Sequence, residues 1–200
     1  MKFLIDQSPL KMAALIRSPI VAGQLLTPLT RYKNAGLPYA IDNGAFSGLD
    51  AAAFGALLER EQPNKERCLF VVCPDVVGSA RRTLELFERR RLWIRGWPVA
   101  FVAQDGQENL PVPWDDIDCI FVGGNDPWKE SQASRDLVRT AKALDKRVHV
   151  GRVNTWKRYK LFADLGADTC DGSGIARFRH MLPEIERKLK DEDESNNLYG

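Results

Sequence analysis

Six short apolar runs in this 200-residue chain each end in a polar or acidic residue close to glycine. They read Tyr39-Ala40-Ile41-Asp42-Asn43-Gly44, Leu69 to Pro74 followed by Asp75, and Val99 to Ala103 followed by Gln104-Asp105-Gly106. The other three are Ile120-Phe121-Val122-Gly123-Gly124-Asn125, Val148 to Val153 followed by Asn154, and Ala167-Asp168-Thr169-Cys170-Asp171-Gly172. A carboxylate can carry a proton or attack an electrophilic carbon, and a glutamine side chain offers a donor and an acceptor together. Asp42, Asp75, Gln104 and Asp171 are therefore the candidate site residues. They can act together only if one scaffold aims all these run ends at one crevice, as a parallel α/β sheet does where strands give way to loops.

The pattern between the runs supplies such a scaffold. Strands are expected over Lys2 to Ile5, Tyr39 to Asp42, Cys68 to Cys73, Pro98 to Ala103, Cys119 to Val122, Arg147 to Gly151 and Asp168 to Cys170. Apolar residues at helical spacing predict helices over Pro9 to Arg17, Leu49 to Glu61, Ser79 to Ile94, Ser131 to Leu144, Trp156 to Leu165 and Ile175 to Lys190, with Asp50 and Ser79 as caps. Pro19, Gly23, Pro28, Gly36 and Pro38 punctuate a stretch read as loop, with a short helix around Leu29 to Asn34 and the form of a lid or binding loop. Seven strands alternating with helices imply parallel pairing through right-handed crossovers. The expected fold is α/β, a trimmed (β/α) TIM-like barrel, shorter than the roughly 250 residues usual for that architecture. An open doubly wound sheet is the alternative.

One domain over residues 1–190 is expected, followed by an acidic flexible tail over 191–200 that contains Asp191-Glu192-Asp193-Glu194. A formal charge of +2 does not mark the chain as a nucleic-acid binder, although Arg81, Arg82, Arg89, Arg90, Arg91 and Arg95 crowd one segment. That segment is either a phosphate-tracking helix or a solvated face. Cys68, Cys73, Cys119 and Cys170 lack CxxC spacing, and His149 and His180 stand far apart, so free thiols, no structural metal and a reducing compartment are expected. No apolar stretch reaches the ~20 residues needed to cross a bilayer, and the start lacks a basic region followed by a long apolar core. A soluble cytoplasmic protein with no membrane partner and no cofactor is the expectation.

Individual residues admit two readings each. Asp42 can handle a proton while a flat heteroaromatic substrate stacks on Phe46, or the Asp-Asn-Gly turn and its Phe are structural. Asp75 can accept from the ring N–H groups of a purine-like base, or cap the helix beginning near Ser79. Gly172-Ser173-Gly174 can hold a phosphate with help from Arg177, or be a plain connector.

Taken in order, the segments resemble the queuine/archaeosine tRNA-guanine transglycosylase family. Its barrel carries an Asp-Ser-Gly-Gly-Phe-Gln loop, a Phe-Asp-Glu strand end, a Gln-Gly-Gly strand end, a Val-Gly-Glu turn, a Met-Gly-Val-Gly stretch and a Phe-Asp-Cys segment. The counterparts here are Asp42-Asn43-Gly44-Ala45-Phe46-Ser47, Pro74-Asp75-Val76, Gln104-Asp105-Gly106, Gly123-Gly124-Asn125, Val150-Gly151-Arg152-Val153 and Cys170-Asp171-Gly172. The resemblance implies Asp171 as nucleophile on the ribosyl anomeric carbon and Asp42 as general acid/base. It implies Asp75, Gln104, Asn43 and Gly151 around the base, Phe46 as the stacking ring and Gly123 and Gly124 as backbone contacts. Arg89, Arg90, Arg91 and Arg177 are the expected nucleic-acid contacts.

The chain departs from the family in lacking its Cys-rich zinc segment and its carboxy-terminal portion, and in having Gly172-Ser173-Gly174-Ile175-Ala176-Arg177 after the nucleophile position. In these departures it more closely resembles the small phage and bacterial 7-deazaguanine DNA transglycosylases. The expected activity is exchange of guanine in a polynucleotide, DNA ahead of tRNA, for a 7-deazaguanine base, with a protein partner or second copy supplying what the short chain omits. The alternatives are a base-releasing N-glycosidase, a metabolic barrel enzyme that binds a small phosphate, and a non-catalytic nucleic-acid-binding protein.

Overall fold

The computed structural model describes residues 1–172, Gly174 and residues 181–199. Eight parallel strands close into a barrel in chain order: β1 (Lys2–Ile5), β2 (Val21–Leu26), β3 (Tyr39–Ile41), β4 (Cys68–Val72), β5 (Val99–Ala103), β6 (Cys119–Val122), β7 (Arg147–Val150) and β8 (Thr169–Cys170). Closure comes from β8 pairing with β1, Lys2 opposite Thr169 and Phe3 opposite Cys170. The helices are α1 (Pro9–Leu15), α2 (Ala51–Glu61), α3 (Ala80–Arg90), α4 (Asp126–Lys129), α5 (Gln132–Ala143), α6 (Trp156–Asp164) and α7 (Met181–Tyr199). The expected helix start at Ile175 lies outside the described residues.

Alternation along the strands sorts side chains into two cores. Leu4, Leu25, Ala40, Phe70, Val72, Ala100, Val102, Cys119 and Phe121 fill the barrel interior. Residues of the other parity, such as Ile41, Val71, Phe101, Ile120 and Val148, meet Phe54, Phe87, Val138 and Phe162 of the surrounding helices. Phe87 of α3 stands edge-on to Phe101 of β5 with centroids 5.1 Å apart. The expected caps form: Asp50 accepts from Ala53 N at 3.0 Å and Ser79 from Arg82 N at 3.4 Å.

The stretch expected as a loop or lid is corrected by the fold. Its first part is β2, paired with β1 and β3, and no helix forms around Leu29 to Asn34. The segment between β2 and β3 is pinned against the sheet. Gln24 donates to Gln7 O at 2.9 Å and accepts from Ala35 N at 2.7 Å, Arg60 donates to Thr30 O at 2.8 Å, and Tyr32 donates to Asp6. Tyr32, Ala35 and Leu37 cover the outer core where a helix would otherwise lie. Between β5 and β6 the chain likewise makes only two short 3-10 turns, Gln107–Asn109 and Trp114–Asp116. Two of the barrel's crossovers therefore carry no α-helix. The acidic stretch from residue 191 continues α7 to Tyr199, with Arg187–Asp191 at 3.1 Å and Lys160–Glu192 at 3.3 Å along it.

All four cysteines are buried free thiols, and burial pushes Cys68 and Cys73 up to about 12. Among the described residues no three His, Cys, Asp or Glu side chains gather as metal ligands do, and no helix is long and apolar enough to cross a membrane.

Candidate active site

The inward parity of the strands runs on past their ends. Ala40 leads to Asp42, Val102 to Gln104, Phe121 to Gly123, His149 to Gly151, and Thr169 to Asp171, each two residues further. These positions ring the carboxyl-terminal mouth of the barrel around a cleft of about 470 Å³. Val72, Val102 and Phe121 line it below, and Asp42, Asn43, Asp75, Gln104, Lys129, Arg152, Asn154 and Asp171 supply its polar wall. The Phe121 ring packs directly on the backbone of Gly151, where a Cβ would come within 2.7 Å of it.

Asp42 receives Gly44 N–H on Oδ1 at 2.8 Å. Desolvation, which outweighs that bond, raises its carboxyl to about 7, with the charges of Asp171, Asp75 and Asp6 pushing the same way. Asp75 sits differently. Asn43 donates to its Oδ1 at 2.8 Å and Gln104 to its Oδ2 at 2.7 Å, while burial still moves its carboxyl upward. The cap of α3 is Ser79, so the capping reading of Asp75 is set aside.

Asn43 and Gln104 work through Asp75. The buried Asn43 also donates to Cys73 O at 2.9 Å and accepts from Ala45 N at 2.6 Å. Gln104 accepts from Gly78 N and Gly124 N, both at 3.0 Å. The N–H groups of Gly123 and Gly124 are taken by Ala103 O and Gln104 Oε1, so neither glycine has an N–H left for a ligand.

Asp171 is held from two sides, Oδ1 by Arg152 N at 3.0 Å and Oδ2 by His149 Nε2 at 3.1 Å. Arg152 occupies the left-handed region at φ 59°, a strained state for a residue with a Cβ. Its surroundings over-determine it. Its carbonyl accepts from Arg158 at 3.1 Å, its guanidinium donates to Gly124 O, and Arg158 is tied to Asp126 and Glu130 at 3.1 and 3.0 Å. The guanidinium carbon of Arg152 lies 5.3 Å from the centroid of Phe46, which is 73 % exposed and overhangs the cleft. A planar ring can reach it there.

Sequence reasoning overlooked four lining or supporting residues. Lys129, wholly buried, donates to Gly151 O at 2.7 Å, and desolvation ahead of the Arg152 and Arg158 charges lowers it to about 8. Asn154 accepts from Gly174 N at 3.0 Å. His149 and Arg152 are the other two. Counting back by twos from Gly151 would have found His149 on the inward face; no pattern announces the left-handed backbone at Arg152.

The expected phosphate contacts Arg89, Arg90 and Arg91 are not at this mouth. α3 starts beside the cleft, where Ala80 N bonds Asp105 O, and runs to the opposite rim where β5 begins. There Arg91 pairs with Asp116 and Arg90 lies 3.8 Å from the Trp93 ring centroid. Of the arginines in that segment, Arg81 and Arg82, exposed at the helix start, belong to the cleft end. Arg177 lies outside the described residues.

Comparison of the chain with protein-family models and with curated protein sequences gives no match.

Proposed function

We propose that the protein is a pentosyltransferase of the guanine transglycosylase kind. In this reading it exchanges guanine in a polynucleotide, DNA ahead of tRNA, for a 7-deazaguanine base through a covalent glycosyl ester on Asp171. The observation that carries the reading is three carboxylates in one cleft, each in a different setting. Asp171 has both oxygens aimed by N–H donors, Asp42 is poised to hold a proton near neutral pH, and Asp75 is clamped by two amides.

Each setting suits one step. An Asp171 oxygen attacks the anomeric carbon as the bond to guanine N9 breaks, and the departing base takes the proton of Asp42. The incoming base returns a proton to Asp42 as its N9 displaces the ester, so protons balance over the cycle. Each oxygen of Asp75 accepts one bond from its amide partner and retains a lone pair, one for guanine N1–H and one for the exocyclic amine. Phe46 offers a stacking face, and Arg152, Arg81 and Arg82 are cations on this side that can meet flanking phosphates.

Incubation with guanine-containing DNA or tRNA plus a 7-deazaguanine, followed by mass spectrometry of the nucleosides, tests the reading. Exchange by the wild type and none by Asp171→Asn, with an unchanged melting curve, is the expected result. Abasic sites instead of exchange would move the assignment to an N-glycosidase, and turnover by Asp171→Asn at the wild-type rate would remove Asp171 as nucleophile.

A further inference from the structure

Behind Asp171 the barrel interior carries a buried polar chain. His149 is wholly buried and lies against Phe121 and Phe70, at centroid distances of 4.6 and 5.0 Å. Its Nε2 is 3.1 Å from Asp171 Oδ2 and its Nδ1 is 2.9 Å from the hydroxyl of Thr169, itself buried. An ionised carboxylate only accepts, so Nε2 carries the hydrogen. The Thr169 hydroxyl, which can donate or accept, pairs with Nδ1 and anchors the ring from behind. The chain therefore ends in Nε2–H on Oδ2, at the edge of the cleft.

We propose that His149 is a positioning residue that sets how fast Asp171 releases the glycosyl group, a role that rests on the glycosyl-transfer reading above. The asymmetry comes from where the charge is. In the covalent ester Asp171 is neutral, and the Nε2–H group bonds a weak acceptor. As the bond from the carboxylate oxygen to the anomeric carbon breaks, the electron pair returns to Asp171, and the same donor meets a full carboxylate. Release therefore gains from the bond. Formation starts from a carboxylate that already has it, and the oxocarbenium-like transition state keeps most of that charge, so formation gains little.

Three variants of the full chain test this: His149→Leu, which has no donor; His149→Gln, which restores an N–H at similar reach; and Thr169→Val, which leaves the imidazole but removes its anchor. A labelled guanine-containing oligonucleotide is mixed with each protein, quenched in detergent to count covalent adduct, and chased with free guanine to follow release. The expected result for His149→Leu is adduct formation within about threefold of wild type and release about 10- to 100-fold slower, the scale of one hydrogen bond to a charged group. His149→Gln should recover most of the release rate, and Thr169→Val should slow the same step by less.

Release by His149→Leu at the wild-type rate overturns the role while leaving the transglycosylase reading intact. Equal slowing of formation and release, or no recovery in His149→Gln, also overturns it, since a merely structural histidine would act on both steps. A wild-type protein that forms no adduct with guanine-containing DNA or RNA removes the glycosyl-transfer reading and this role together.

Discussion

Gln104 donates to Asp75 Oδ2 at 2.7 Å while its carbonyl accepts the N–H groups of Gly78 and Gly124, each at 3.0 Å. One side chain at the end of β5 thus joins the loops after β4 and β6 and fixes the carboxylate between them. Gln104→Leu leaves two backbone donors and a carboxylate oxygen without their partner, so a loss of about 2–4 kcal/mol of stability is expected. Urea unfolding of the two proteins measures it, and a loss below about 1 kcal/mol would mean that water replaces the amide.

Asp75→Asn turns one of two acceptors into a donor, yet both groups clamping Asp75, Asn43 Nδ2 and Gln104 Nε2, are donors themselves. One N–H must then face another, and one acceptor for guanine disappears. Guanine binding should weaken by about 2 kcal/mol, and discrimination against adenine should fall with it. Competition of free bases in the exchange assay reads both, and full guanine preference in the variant would give base recognition to other groups.

The basic residues at the two ends of α3 separate in a salt titration. Replacing Arg89, Arg90 and Arg91 together by Ala should leave the exchange rate and its salt slope within about twofold of wild type, because these residues stand on the rim away from the cleft. Arg81→Ala with Arg82→Ala should flatten the slope, by about one unit for each phosphate no longer neutralised. The reverse pattern would place the polynucleotide on the lower rim.

Much of this arrangement is legible in the sequence because a strand has period two. Asp42, Gln104 and Asp171 are the inward positions next after buried residues of the same parity, so locating the strands locates the site. β2 escaped for a physical reason. Gly23 lies where Pro38 O would come within 1.8 Å of a Cβ, so close approach of the next strand demands glycine. Gln24 is polar because it bonds a pinned loop rather than packing under a helix. A glycine and a glutamine inside a six-residue run hide a strand from any hydrophobic pattern. Lys129 is hidden too: it reaches Gly151 O from α4, a contact between segments 22 residues apart that no local motif encodes.

Asp42 gives a prediction whose sign is fixed by its raised carboxyl. An unfolded aspartate ionises near 3.9 and Asp42 in the folded protein at about 7, so between those values the native state holds a proton that the unfolded chain has released. Stability from this source is full below pH ~4 and is lost as pH rises through about 7, on the order of 4 kcal/mol at most. Asp42→Asn does not titrate and should lack that loss. Asp75, raised in the same direction, is present in both proteins and largely cancels in the comparison. Urea unfolding at pH 5 and pH 8 should therefore show the variant gaining on the wild type by a few kcal/mol between the two conditions. In the same window, wild-type exchange should lose its acid as pH passes about 7. An identical stability difference at both pH values would mean that Asp42 is ionised throughout, and the proton for the departing base would have to come from another group.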